Sequence, residues 1–492
     1  MWEALFALFQ LQALFLVIIG VAVGVVMGAI PGLSGGMTLA LALPLTFYMS
    51  GNSAIVLLVS IYVGVVAGGL ITAIILNIPG TPANLVTAWD GYPMTRKGHA
   101  GRALGLGIFA SLVGSVISWI ILVSFAPLLS AFALQFNHFD YFAMVMMALV
   151  LISSLSEGSM VRALMAGLLG MLFALPGIDP VSAQLRLNFG YQQMSGGFHI
   201  LPVLIGLFGI SQVIQDCLRI ADQPRMSNSV GVTLPKLATI KEQAVNLIRS
   251  SVIGTWIGVL PGLGTTIGSL VAYSFAKNSS KNPEEFGSGI DDGIVASEAA
   301  NSANIGGGLI PVITLGIPGS VGDVILLAAL ILHGVTPGPL LFANNPEYAW
   351  GIIWTMLVAS FVMFTLMSIT SPWVARIVNI PRIYVMPAVM ILSIVGSFAV
   401  NNRLFDVWVM LGSGALGYIM ILLRLPLGPF SIGFILAPIA ESSLRSGLMA
   451  SRGSYEPLWT QPVSASLLVI AMLTCFWPLI RKSINHLRRR ES

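Results

Sequence analysis

Residues 28–36 read GAIPGLSGG, and residues 258–266 read GVLPGLGTT. A second pair follows in the same order: GGLI at 68–71 and IPGT at 78–81 recur as GGLI at 307–310 and IPGS at 317–320. The first pair is offset by 230 residues and the second by 239, and the polar stretch 277–292 absorbs the difference. Under the second offset Asn84 corresponds to Asp323. Two motifs repeated in one order mark a duplicated structural unit. The chain therefore reads as a first transmembrane repeat over 1–220, a basic cytoplasmic linker over 221–243, a second transmembrane repeat over 244–480 and a basic cytoplasmic tail over 481–492.

The motifs sit inside apolar sequence. Of 492 residues, 56% are hydrophobic and 9% charged, whereas a soluble domain is about 25% charged. Such a chain cannot cover a water-facing surface, and it is too apolar to be disordered. A net charge of +4 is too small and too scattered for a nucleic-acid partner. The two cysteines, Cys217 and Cys475, stand alone and support neither a disulfide framework nor a metal centre.

A helix needs roughly 20 apolar residues to cross a bilayer. Such runs occur at about 11–30, 54–76, 103–127, 139–156, 160–175, 200–217, 244–260, 322–343, 348–370, 383–400, 404–424 and 462–480. The expected fold is an all-α polytopic membrane protein of about 12 transmembrane helices. Shorter apolar pieces at 37–49, 265–276 and 430–440 are expected as re-entrant or broken half-helices. The N-terminal run has no basic residue before it and reads as a retained span rather than a cleaved signal. Trp2, Trp119, Trp350, Trp373 and Trp477 fall near span ends, where interfacial tryptophans collect.

Lys and Arg concentrate in cytoplasmic loops. That rule places inside Arg96, Lys97 and Arg102, the segment carrying Arg219 to Arg249, and the tail from Arg481 to Arg490. The first repeat starts on a Lys/Arg-free side and reaches basic residues after its second motif, while the second repeat does the reverse. This charge bias predicts an inverted repeat.

A Pro-Gly step within an apolar run removes a backbone donor and lets the chain leave helical dihedrals. Unwound backbone at membrane depth is tolerated only where protein, water or a ligand satisfies it. Breaks at corresponding places in two repeats thus point to a central site. Half-helix N-termini there would hold an anion, and the carbonyls ending the preceding half-helices could coordinate Na⁺. The candidate substrate- and ion-binding residues are Gly32, Ser34, Gly35, Thr38, Asn77, Gly80, Thr81 and Asn84 in the first repeat. In the second they are Gly262, Gly264, Thr265, Thr266, Asn301, Asn304, Thr314, Gly319, Ser320 and Asp323. Their hydroxyls and amides are neutral groups suited to a carboxylate and Na⁺. Asp323 is the stronger intramembrane carboxylate, and Glu298 reads equally well as a functional group or a solvated helix face. Glycines spaced by four without proline, such as Gly20, Gly24, Gly28, Gly64 and Gly68, read as packing positions instead.

These blocks, from GAIPGLSGGMTLALALPLTF through GGLITAIILNIPGTPANLVTAWDGYPMTRKGHAGRALG to EAANSANIGGGLIPVITLGIPGSVGDVILLAALILHGVTPGP, resemble the large membrane subunit of bacterial tripartite tricarboxylate transporters. The resemblance covers nearly the whole chain. It implies an ion-driven importer in the bacterial inner membrane, with no cofactor beyond Na⁺ or H⁺ as coupling ion. It also implies two partners on separate chains, a small membrane subunit and a periplasmic solute-binding protein that delivers citrate or another organic acid.

Two other readings compete. A passive channel could use the same backbone groups. An intramembrane serine protease of the rhomboid type is suggested by GLSG at 32–35, but His99, His138, His199, His333 and His486 lie mostly at loops or span ends. The repeat also puts Gly264 at the place of Ser34. A transporter without enzymatic activity is therefore the expectation.

Overall fold

The computed structural model describes residues 2–30, 33–155, 159–179, 181–218, 231–261, 264–377 and 382–488. The expected site residues Gly32 and Gly262 lie outside the described residues, as do 221–230 of the linker and 489–492 of the tail. In chain order the helices are α1 (Trp2–Leu8), α2 (Leu11–Ala29), α3 (Gly35–Thr46), α4 (Gly51–Leu76), α5 (Asn84–Arg96), α6 (Ala100–Ala133), α7 (His138–Leu155) and α8 (Met160–Phe173). Next come α9 (Ile200–Leu204) and α10 (Ser211–Leu218), continuous through a π-helical turn, then α11 (Leu237–Val259), α12 (Gly264–Ser279), α13 (Asp291–Leu315) and α14 (Val321–Leu332). The last are α15 (Leu341–Asn344), α16 (Pro346–Ile377), α17 (Arg382–Asn401), α18 (Leu404–Leu422), α19 (Leu427–Ala450), α20 (Pro457–Thr460) and α21 (Pro462–Arg488).

The protein is an all-α polytopic membrane protein. Among the described residues seven helices are long and apolar enough to cross a membrane, and six more apolar helices are shorter. Four elements differ from the sequence reading, one being the expected span 160–175, which is only the 14-residue α8. The expected span 322–343 is only the 12-residue α14, which stops at Leu332 before a turn with Gly334 at φ 72°. The expected half-helix 430–440 belongs instead to the 24-residue α19. The 25-residue α13 was not expected as a span, because Ser297, Glu298, Asn301, Ser302 and Asn304 dilute its hydropathy.

The chain forms two compact units, Met1–Ala131 with Ile200–Ile419, and Phe132–His199 with Met420–Ser492. In the first unit, α2 packs along α4 and α11 packs along α13. An added Cβ at Gly24 would strike the Ile61 carbonyl, and one at Gly254 the Ala300 carbonyl. Gly28 likewise abuts the Val65 carbonyl, and Gly258 the Asn304 carbonyl. These pairs obey the offsets of 230 and 239, so the duplication recurs as the same close contacts. The glycines spaced by four are what allow the approach.

The helix ends repeat too. Both α2 and α11 finish in an extended residue, Ile30 and Leu260, whose N–H caps Met27 and Ile257 respectively. Both α4 and α13 finish in the left-handed region, at Asn77 (φ 57°) and Gly316 (φ 70°), which are 239 residues apart. The left-handed cap turns the chain sharply, and the Pro-Gly step keeps the helix from continuing past it. After each break the chain doubles back and the next half-helix starts beside the interior of its parent: Asn84 lies against Gly69 and Gly91 against Ile74, so α5 runs in the same direction as α4, and Asp323 lies against Gly308.

Helices α4 and α13 run antiparallel. Tyr62 bonds Ser320 beyond the end of α13, Val66 accepts from Asn301, and the partners of the following break, Asn84 and Thr87, reach Glu298 and Ser297 near its start.

In the second unit α19 packs on α7 and α8, and α21 packs on α7. Glu441 on α19 takes both guanidinium nitrogens of Arg186 at 2.5 and 2.6 Å, while Arg445 pairs with Asp179. Backbone N–H groups of Ser182 and Val181 hold the Asp179 carboxyl well below the ordinary carboxylate range. The four charges balance and tie the segment between α8 and α9 to α19.

Candidate functional site

Half-helices α3, α5, α12 and α14 each begin at a break within the first unit. Ser34 caps α3 by accepting from Met37 N at 3.1 Å, and Ser320 caps α14 by accepting from Asp323 N at 3.2 Å. These two N-termini are neighbours, because a Cβ at Gly36 would strike the Val321 side chain. Helices α5 and α12 pack together through Val86, Tyr273 and Ala276, with the Trp89 and Tyr273 rings 5.2 Å apart. A helix start carries roughly half a positive charge, and its serine cap satisfies only one of the free N–H groups, so adjacent starts reinforce one another as an anion seat.

Asn84 and Asp323, the repeat mates, occupy equivalent places with different partners. The Asn84 side chain is fully buried; its Oδ1 accepts from Thr81 Oγ1 at 2.5 Å and its Nδ2 donates to Glu298 Oε1 at 2.9 Å. Thr87 also donates to Glu298 Oε1, at 2.5 Å, and Ser111 donates to Oε2 at 3.3 Å. Asn301 Nδ2 lies 3.5 Å from the same Oε2 and 3.3 Å from the Val66 carbonyl. Glu298 is thus a buried carboxylate held by neutral donors from α5, α6 and its own helix. The Asp323 carboxylate lies over Gly308 and Gly319, and its Oδ1 is buried with no hydrogen-bond partner. Tyr62 OH stands 3.0 Å from the Ser320 hydroxyl that caps the same turn.

The remaining expected residues fall as follows. Thr38 on α3 is buried and donates to the Ser34 carbonyl at 3.2 Å, and Gly35 is the first residue of α3. Gly80 packs on Gly69 and on the Gly28 carbonyl, and Gly319 on the Gly258 carbonyl at corresponding positions. Gly264, at φ 62°, opens α12, and Thr265 and Thr266 are half-buried in its first turn. Asn304 is buried and reaches the carbonyls of Gly254 and Gly264, each at 3.4 Å. Asn77 is exposed and serves as the left-handed cap, and Thr314 bonds back to Ile310 of its own helix. The structure therefore joins Thr81, Asn84 and Asn301 in one cluster and Ser320 and Asp323 in another, while Asn77 and Thr314 join neither.

Three residues in these clusters were not singled out from sequence: Thr87, Ser111 and Tyr62. Thr87 carried a faint signal, one helical turn beyond Asn84 on the same face. Asp90, a further turn on, accepts from Tyr273 OH at 2.8 Å and from Gly287 N and Gly289 N at 2.9 and 2.8 Å, so it clamps the turn leading into α13. A cavity of about 470 Å³ also opens among α1, α2, α4 and α16, lined by Glu3, Gln12, Asn52, Glu347 and Tyr348. It lies at the start of α4, away from the breaks.

Duplicated, antiparallel helix pairs with interior breaks are the architecture of a secondary transporter. The profile of the tripartite tricarboxylate transporter TctA family matches residues 14–432, and the chain belongs to that family. Two relatives come from Agrobacterium vitis. An uncharacterized 52.8 kDa protein in the TAR-I ttuC' 3' region is 34% identical over 440 residues, 88% of this chain and 86% of the relative. An uncharacterized protein in the TAR-II ttuC' 3' region is 37% identical over 232 residues, 46% of this chain and 96% of the relative. No solved structure matches the chain.

Proposed function

We propose that this chain forms the translocation path for a tricarboxylate or related organic acid, driven by a cation gradient. A periplasmic solute-binding protein delivers the acid, and a small membrane subunit completes the assembly. The observation that carries this reading is the meeting of the α3 and α14 N-termini, each capped by a serine, in a Lys/Arg-free part of the sequence. Such a seat binds an anion through dipoles and hydroxyls that release it readily, which a fixed ammonium or guanidinium would not. Transport then proceeds by movement of one bundle against another in the bacterial inner membrane, with the inverted repeat supplying the two access states and the basic tail in the cytoplasm.

The test is uptake of radiolabelled citrate, and of a panel of other organic acids, by proteoliposomes holding the chain with its small subunit and binding protein. Accumulation above the external concentration that collapses with the Na⁺ or proton gradient is the expected result. Uptake that stops at equilibrium would make the protein a channel.

A further inference from the structure

We propose that Glu298 is the coupling-cation site and that it takes a single Na⁺, with Thr87, Ser111 and Asn301 completing an oxygen cage. The proposal rests on the transport reading above and assigns its driving ion to named atoms.

Glu298 is fully buried, and none of its partners carries positive charge. An isolated carboxylate in such surroundings costs many kcal/mol unless a cation or proton neutralises it. No basic side chain of the elements around it is bonded to it: Arg249 on α11, which packs along α13, is held by Asn246 and lies over the Phe275 ring. Helix α4 has no charged residue, Arg96 ends α5, and Arg102 on α6 pairs with Asp291 at 2.5 Å. Asp90 on α5 is committed to Tyr273 and to the N–H groups of Gly287 and Gly289.

The second observation is Asn301. Its amide nitrogen faces Glu298 Oε2 and the Val66 carbonyl, while its Oδ1 is fully buried with no hydrogen-bond partner. Amide oxygen and nitrogen are exchangeable by rotation. Turned over, the amide places an oxygen beside the carboxylate and the Val66 carbonyl, a juxtaposition that a shared cation or a carboxyl proton makes favourable. With the hydroxyls of Thr87 and Ser111 these are hard oxygen donors, the kind that bind Na⁺, Mg²⁺ and Ca²⁺. One carboxylate balances a monovalent ion and leaves a divalent ion under-compensated. A proton on Glu298 would donate to one of these oxygens only, whereas a cation engages the carboxylate, the amide, the carbonyl and the hydroxyls together.

The cage also touches the start of α5, the half-helix that corresponds to α14 in the other repeat. Asn84 Nδ2 is held by Glu298 in this structure, while Asn84 begins the α5 half-helix. A cation on Glu298 competes for the carboxylate and frees that amide for the substrate. The repeat mate of Glu298 is Val59, so the duplication supplies this charge once.

The experiment measures saturable ²²Na⁺ binding to the purified chain in detergent, with choline replacing Na⁺ in the control, together with the rise in unfolding temperature that Na⁺ produces. The wild type should bind Na⁺ and be stabilised by it. Glu298→Gln, which keeps the side-chain shape and removes the buried charge, should lose both responses while unfolding in choline at or above the wild-type temperature. Asn301→Ala should bind roughly tenfold more weakly, and the exposed-loop variant Glu456→Gln should match the wild type. Retained Na⁺ binding in Glu298→Gln, or loss in Asp323→Asn alone, overturns the assignment. Stabilisation that follows pH and ignores Na⁺ overturns it in favour of a proton. Na⁺ binding through Glu298 without citrate uptake would instead leave this site standing and refute the transport reading, whereas Na⁺-driven uptake by Glu298→Gln would do the opposite.

Discussion

Asn84 and Asp323 stand at the same place in the two repeats, each lying on a glycine of the preceding helix, yet one is neutral and committed while the other has a free buried oxygen. A buried polar group without a partner costs about 1–3 kcal/mol, and an acceptor such as the Asp323 oxygen persists where a proton, a cation or a hydroxyl of the substrate supplies the missing bond. Asn84→Ala and Asp323→Ala are therefore expected to lower citrate uptake at least about tenfold, a loss of one charge-assisted hydrogen bond. Gly412→Ala, whose added methyl meets nothing within 4 Å, should transport like the wild type. Equal uptake by all three variants would refute the site. Gly20→Ala is unsuitable as the neutral control, because its methyl would lie 2.7 Å from Ser60 Cβ and 2.9 Å from the Leu57 carbonyl. The polar residues attached to Pro-Gly steps were legible because the breaker and the ligand-type residue are adjacent in sequence. Thr87, Ser111 and Tyr62 were not, since an isolated hydroxyl in an apolar run gains meaning only when another helix brings a carboxylate to it.

At the scale of elements, the breaks were readable and some of the helices were not. Proline, glycine and the repeat offset located the ends of α4 and α13, whereas hydropathy missed α13 altogether. Applying the offset of 239 to α4 would have placed a helix over 290–315, close to the observed Asp291–Leu315. The same weakness hid the length of α19, whose Glu441 and Arg445 look unfit for a membrane until Asp179 and Arg186 arrive from distant sequence to pair with them. The cap at Asn77 separates a conformational role from a ligand role. Asn77→Gly keeps the left-handed cap and should preserve uptake and thermal stability, while Asn77→Val, strained at positive φ, should lower the unfolding temperature. A loss of uptake in Asn77→Gly without loss of stability would return Asn77 to the binding site. Close packing makes a companion prediction: Gly28→Ala forces α2 off the Val65 carbonyl and should cost about 1–3 kcal/mol in unfolding experiments. An unchanged stability would mean that α2 and α4 are not held at this distance in the membrane.

For the whole molecule, the scarcity of charge is uneven in a way that fits its task. Residues 1–95 and 282–375 contain no Lys or Arg, and they carry α2–α4, most of α5, α13 and α14, with the breaks between them. Their helices run in opposite senses and meet in one compact unit, so duplicated half-helices converge instead of lying side by side as separate pores. Composition and the repeat were enough to foresee a duplicated, polytopic, all-α chain, and the resemblance of its sequence blocks added the TctA family. They could not foresee that α4 and α13 cross as they do, which depends on tertiary contacts such as Tyr62 with Ser320. The most direct test of the proposed anion seat uses Ser34→Cys and Ser320→Cys, each made in a chain whose Cys217 and Cys475 have been changed to alanine. Labelling by a water-soluble, membrane-impermeant maleimide is followed with and without citrate in proteoliposomes containing the partner subunits. Citrate, or whichever organic acid is taken up, should slow labelling at both positions together. Labelling at either position that is indifferent to every transported acid would contradict a substrate seat at the α3 and α14 N-termini.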